Sequence, residues 1–172
     1  MSSYRLFVPK QAVGANLVYF DMFNNSDEVV HITSVVPIVS GAVAVTGVVA
    51  VDLFLTLTSA VGTGGTAATY NGATLTACTF STLNLKGQPV PDTITARLTP
   101  TGGATAGPVV SWDSVYTEET NSGVYGGRAH ELLDYEDEEI VLPNGSGIRV
   151  VQGAVASVGN IGFNVSFRID KR

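Results

Sequence analysis

Few residues in this chain have the chemistry for catalysis, and they are scattered. One cysteine, Cys78, sits in the stretch TACTF, which carries no nucleophile signature. The two histidines, His31 and His130, fall in separate segments, so a histidine-rich metal centre of the kind some barrels carry has too few ligands. Serines and aspartates are present, but no Gly-x-Ser-x-Gly elbow marks one serine for attack. The loop AVGTGGTAATYNG at 60–72 has the glycines of a phosphate cradle. It lacks the following Lys-Ser/Thr, and a Thr-rich strand rather than a helix comes next, so it reads as a surface loop. No catalytic set and no cofactor site emerges, and the chain reads as a non-enzyme.

Binding chemistry is better represented. Residues 118–139 hold Glu118, Glu119, Glu131, Asp134, Glu136, Asp137, Glu138 and Glu139 against Arg128 alone, a local net charge of −7 within a chain total of −6. Carboxylates at this density are hard oxygen ligands of the type calcium takes, but the spaced ligands and central glycine of a calcium loop are missing. Two other readings stand beside that one: a solvated, self-repelling loop that keeps a strand edge from pairing, or a docking segment for a basic partner surface. Tyr70, Trp112, Tyr116 and Tyr125 lie in or near expected loops, where rings can stack on sugars. Trp112, inside PVVSWDSVY, is expected to be largely buried, as tryptophans on average are.

The elements that must position these groups are strands. Val49, Val51, Leu53, Leu55 and Leu57 alternate with Ala50, Asp52, Phe54, Thr56 and Thr58; Ile161, Phe163, Val165, Phe167 and Ile169 alternate with Gly162, Asn164, Ser166, Arg168 and Asp170. Period 2 with one apolar face is a half-buried strand. Further strands are expected at Tyr4–Val8, Asn16–Phe23, Glu28–Ile38, Ala73–Leu83, Thr93–Thr99, Val109–Tyr116, Ile140–Leu142 and Ile148–Ala156, punctuated by Asn, Gly, Ser and Pro clusters. The stretch RAHELLDYEDEE at 128–139 has helix-forming residues without a sustained 3.6-residue repeat, and reads as strand plus acidic loop. The expected fold is all-β, a single-domain antiparallel β-sandwich of jelly-roll type. Residues 1–15 are expected as an N-terminal arm and first strand, and 16–172 as the sandwich.

Composition limits the class further. The chain has 172 residues, 45% of them hydrophobic, and only 14% charged against roughly 25% in an ordinary domain. From Val29 to Pro91 the only formal charges are Asp52 and Lys86. A surface so poor in charge is expected to be covered in an assembly. The uncharged run Ile32–Val51 is interrupted by Pro37, Gly41 and Gly47 and is rich in β-branched residues, so it reads as strands rather than a membrane span. No basic patch invites nucleic acid. The start MSSYRLFVPK lacks the apolar core of a secretory signal, and a lone cysteine gives no disulfide framework, so synthesis in a cytoplasm is expected.

The Ala/Thr/Gly/Val-rich texture of 29–110, the segment TARLTPTGGATAG, and the closing LPNGSGIRVVQGAVASVGNIGFNVSFRID together resemble the small β-sandwich structural proteins of tailed-bacteriophage virions, of the capsid cement or decoration type. The likeness covers most of the chain but is one of texture and strand pattern, without a diagnostic motif. It implies a non-enzymatic protein on the capsid surface of a virion, made in a host cytoplasm, that binds the major capsid protein lattice and stabilises the head. A tail- or fibre-associated receptor-binding adhesin is the alternative. The resemblance also implies a homotrimer, since such proteins sit at local three-fold positions. The expected partner contacts are Arg5 and Lys10 on the N-terminal arm, with Glu136, Asp137, Glu138 and Glu139 at another edge. An arm of that kind would be removable over its first ten residues without loss of the fold.

Overall fold

The structure is a computed structural model that describes residues 2–40, 49–72, 77–83, 87–102, 106–117, 132–133, 139–155 and 159–170. Within them the chain forms twelve strands and no helix. They are β1 (Ser2–Ala12), β2 (Val18–Asn24), β3 (Val29–Ser40), β4 (Val49–Thr58), β5 (Thr66–Ala67), β6 (Thr69–Tyr70), β7 (Thr79–Thr82), β8 (Ile94–Leu98), β9 (Ala106–Thr117), β10 (Ile140–Leu142), β11 (Ser146–Gln152) and β12 (Asn160–Asp170). Two six-stranded sheets pack as a sandwich. Sheet A runs β10-β3-β12-β1-β7-β6 and sheet B runs β5-β8-β2-β11-β4-β9. Every pair is antiparallel except the short β6–β7 contact.

The pairing has a simple order. β1 pairs with β12, β2 with β11, β3 with β10 and β4 with β9, so the first four strands meet the last four in reverse. Contacts of β12 with β3 and of β11 with β4 then join these ribbons into the two sheets. The segment between β4 and β9 adds β5 and β8 beside β2, and β7 and β6 beside β1.

Alternation explains the core. Tyr4, Leu6 and Val8 of β1 face inward beside Phe167, Val165 and Phe163 of β12, and all six are buried. From sheet B, Val51, Leu53 and Leu55 meet them with Ile148 and Val150. A bulge on β2, between its pairings of Val18 with Val151 and of Phe20 with Val150, turns Tyr19 and Phe20 inward together. Both rings then pack on Phe163, at centroid distances of 5.2 and 5.5 Å. The Tyr19 hydroxyl is satisfied by donating to Gln152 Oε1 at 2.8 Å, and Gly14 N–H donates to the same oxygen. At the other end of β2, Asn24 Oδ1 accepts from Ser26 N–H and Oγ, while its amide donates to the carbonyls of Glu28 and Leu142. This turn was legible in Asn24-Asn25-Ser26-Asp27.

The removable N-terminal arm is corrected by this arrangement. β1 lies inside sheet A between β12 and β7, hydrogen-bonded on both sides. Its three inward side chains belong to the core. A segment with two ladders and a buried face is not free to extend as an arm, and β1 is not separable from the sandwich. The expected strand at Ala73–Leu83 is shorter, with β7 at Thr79–Thr82 and residues 73–76 outside the described ones. Most of the 128–139 stretch is likewise outside them. Its described members include Leu132 and Leu133, which are buried, with Leu133 bridging Val35.

Candidate interaction surface

Arg5 and Lys10 are both exposed on the outer side of sheet A. Arg5 stands between Ser166 of β12 and Ser81 of β7. Lys10 sits where the β1–β12 register shifts between Val8 and Gln11, at a bulge containing Pro9. Beside it lies a shallow, largely apolar depression of about 460 Å³, lined in part by Phe7, Lys10, Ile38, Gly162 and Asn164. Gly162 is required there, because a Cβ would come within 2.6 Å of the Val8 carbonyl oxygen.

Of the acidic candidates, Glu136, Asp137 and Glu138 lie outside the described residues. Glu139, just before β10, reaches an internal ion cluster. Arg168 donates from Nη2 to Glu139 Oε2 at 2.6 Å and from Nε to Oε1 at 3.1 Å, a two-pronged pair. His31 Nδ1 lies 3.1 Å from the same carboxylate, and His31 Nε2 lies 3.3 Å from Asp170. His31 and Arg168 are direct cross-strand neighbours, which is why β3 and β12 bring them together. The Arg168 hydrogen bonds hold the Glu139 carboxyl below the usual carboxylate range, with His31 adding to the effect. Glu139 is thus matched within its own chain, and the cluster clamps the β10 edge to β3 and β12. The spacing of Glu139 to Arg168 in sequence gave no hint of this.

The outer face of sheet B holds a second charged row. Arg97, Asp21 and Arg149 are aligned across β8, β2 and β11. Asp21 and Arg149 are nevertheless buried, at 2% and 6% exposure. The loop Ser59–Gly65 is responsible. Gly62 packs directly on the Asp21 carboxylate, Arg97 Nη1 donates to the Gly64 carbonyl at 3.1 Å, and Thr63 pairs with Gly102. The loop expected to lie free on the surface is therefore a cover over the sheet. Burial pushes the Asp21 carboxyl up, opposed by the charge of Arg149 and by the Gly62 N–H. Cys78 is fully buried, and burial, with the Asp21 charge, pushes its thiol up to about 12. A thiol so disfavoured as thiolate is a poor nucleophile at neutral pH.

The third surface is the edge strand β9. Val109, Val110 and Trp112 are exposed by 53%, 44% and 63%. Trp112 stacks on Phe54, its cross-strand neighbour, at 6.3 Å and 23°. One register step along, Ser114 Oγ donates to Asp52 Oδ1. The expectation of a buried Trp112 is corrected here. Val115 faces the core, so alternation along β9 turns Trp112 to the outer face. That phase was not readable from the sequence, where Trp112 shares alternate positions with Val110 and Tyr116 against Ser111 and Asp113 and so falls on the more apolar set.

Among the described residues no three His, Cys, Asp or Glu side chains converge as a metal site requires, and no helix is long and apolar enough to cross a membrane. No protein-family model matches the chain, and no curated protein or solved structure shows significant similarity to it.

Proposed function

We propose that this chain is a non-enzymatic structural protein of a virion, a capsid cement or decoration protein that binds the major capsid protein lattice and stabilises the head. The observation that carries the reading is the pairing of β1–β4 with β12–β9 in reverse order. Such a reverse-order ribbon supports reading the sandwich as a jelly roll, with the β5–β8 segment as an insertion. That architecture recurs in viral capsid and lectin domains. The fold alone does not select among these uses; the charge-poor stretch from Val29 to Pro91, suited to cover by neighbouring subunits, favours the structural one.

Attachment draws on the outer side of sheet A, where Arg5 and Lys10 are exposed, and on the acidic stretch through Glu136, Asp137 and Glu138. Glu139 is assigned to the internal clamp instead. Binding by several copies, as a homotrimer on a repeated lattice, gains avidity without any single strong anchor. The test is reconstitution: purified protein is added to particles stripped of it. Saturable binding at a fixed ratio to the major capsid protein, with a raised temperature of capsid disruption, is expected. Binding confined to tails would replace this reading with the receptor-binding adhesin, which the exposed Trp112 favours as the second reading.

A further inference from the structure

Trp112 is the single tryptophan of the chain and, among the described residues, its only highly exposed aromatic ring. A ring of this size left in water forgoes a large apolar contact. Its surroundings are specific. Phe54 stacks against it, and the Asp52–Ser114 pair stands one step along the same outer face. Ser114 fixes one carboxylate oxygen of Asp52, and an ionised carboxylate retains further acceptor positions. Gly153 lies next to both Phe54 and Asp52; a Cβ there would contact each at 3.4 Å, so the absence of a side chain leaves them open.

We propose that the Phe54–Trp112 pair is a stacking platform for a neutral saccharide, with Asp52 and Ser114 taking its hydroxyl groups. A pyranose presents an apolar C–H face bordered by hydroxyls, and this surface presents an apolar ring pair bordered by a carboxylate and a hydroxyl. Val109, opposite Thr56 on the same outer face, lengthens the apolar side, which suits an oligosaccharide better than a single sugar. Charge excludes the main competitor for an aromatic platform. β4 and β9 carry Asp52 and Asp113 and no lysine or arginine, and Arg149 on the neighbouring β11 is buried, so these strands offer a nucleic-acid backbone no charge partner. A second copy of the chain is disfavoured as well, because Pro108 and the register shifts opposite Leu55–Thr58 interrupt β9 as a pairing edge. The platform is independent of capsid attachment, which is assigned to sheet A and the acidic stretch.

The lone tryptophan makes the test direct. Gluco-, galacto- and manno-oligosaccharides are titrated separately into the whole protein while its fluorescence is followed, with calorimetry in parallel. The expected result is a saturable emission shift with at least one series. By calorimetry, Trp112→Ala and Asp52→Asn should each weaken binding roughly tenfold or more, while Trp112→Phe should retain part of it. Circular dichroism of the variants checks that the fold is kept. The proposal is overturned if no series binds, or if binding survives Trp112→Ala unchanged. It is equally overturned if the emission shifts only with protein concentration, which would give the face to a second copy.

Discussion

Gly62 and Asp21 constrain each other. The glycine lies against a buried carboxylate, and a methyl group in its place would be driven onto that carboxylate. Gly62→Ala must therefore lift the Ser59–Gly65 cover or displace Asp21 from between Arg97 and Arg149, and it should cost about 1–3 kcal/mol in chemical denaturation. Asp21 also fixes a pH dependence. Its folded pKa is raised, so the folded state binds the proton more tightly than the unfolded one. Its favourable contribution is full below the ordinary carboxylate range and is lost as pH rises through the elevated folded value. The parent should accordingly gain stability relative to Asp21→Asn as pH falls toward the carboxylate range; a relative loss would contradict the assignment. Glu139 works in the opposite sense. Its pKa is lowered, so its contribution is present above the ordinary value and is lost as pH falls through the folded one. Because that clamp is partly exposed, solvent and salt keep its effect small.

At the scale of elements, β1 and β12 form the centre of sheet A. Deleting residues 1–10 removes most of the β1–β12 ladder, all of the β1–β7 ladder and three core side chains, and should abolish cooperative unfolding rather than release a dispensable arm. Phe163→Ala, beneath Tyr19 and Phe20, should cost about 3–5 kcal/mol by denaturant titration. Strands β4 and β12 were legible because their alternation is long and each inward position is aliphatic or aromatic; β3 shifts phase between Ile32 and Ser34, so it was legible only as a β-branched run. β1 was legible as a strand but not as a central one, since its partners β7 and β12 lie far along the chain and local pattern carries no information on them. The same limit hid the Arg168–Glu139–His31 cluster and the Arg97–Asp21–Arg149 row, both assembled by strand register. The cover loop was hidden for a different reason. Its glycines read as freedom, whereas at Gly62 the missing side chain makes room for a carboxylate.

For the whole molecule, the proposed role requires that the charge-poor stretch from Val29 to Pro91 be covered by copies of the chain and by a lattice. Self-association into a closed trimer should be visible by sedimentation at high concentration, and a strictly monomeric mass both in solution and on particles would contradict it. Salt gives a second handle. Neutralising Glu136, Asp137 and Glu138 together should make attachment less sensitive to ionic strength, because screening acts on exposed charge pairs. The central claim, a capsid cement protein, is tested most directly by labelling the protein in intact virions and counting its copies by electron microscopy. Many copies in a regular array over the head are predicted; a few copies confined to the tail, or none on the particle, would contradict it.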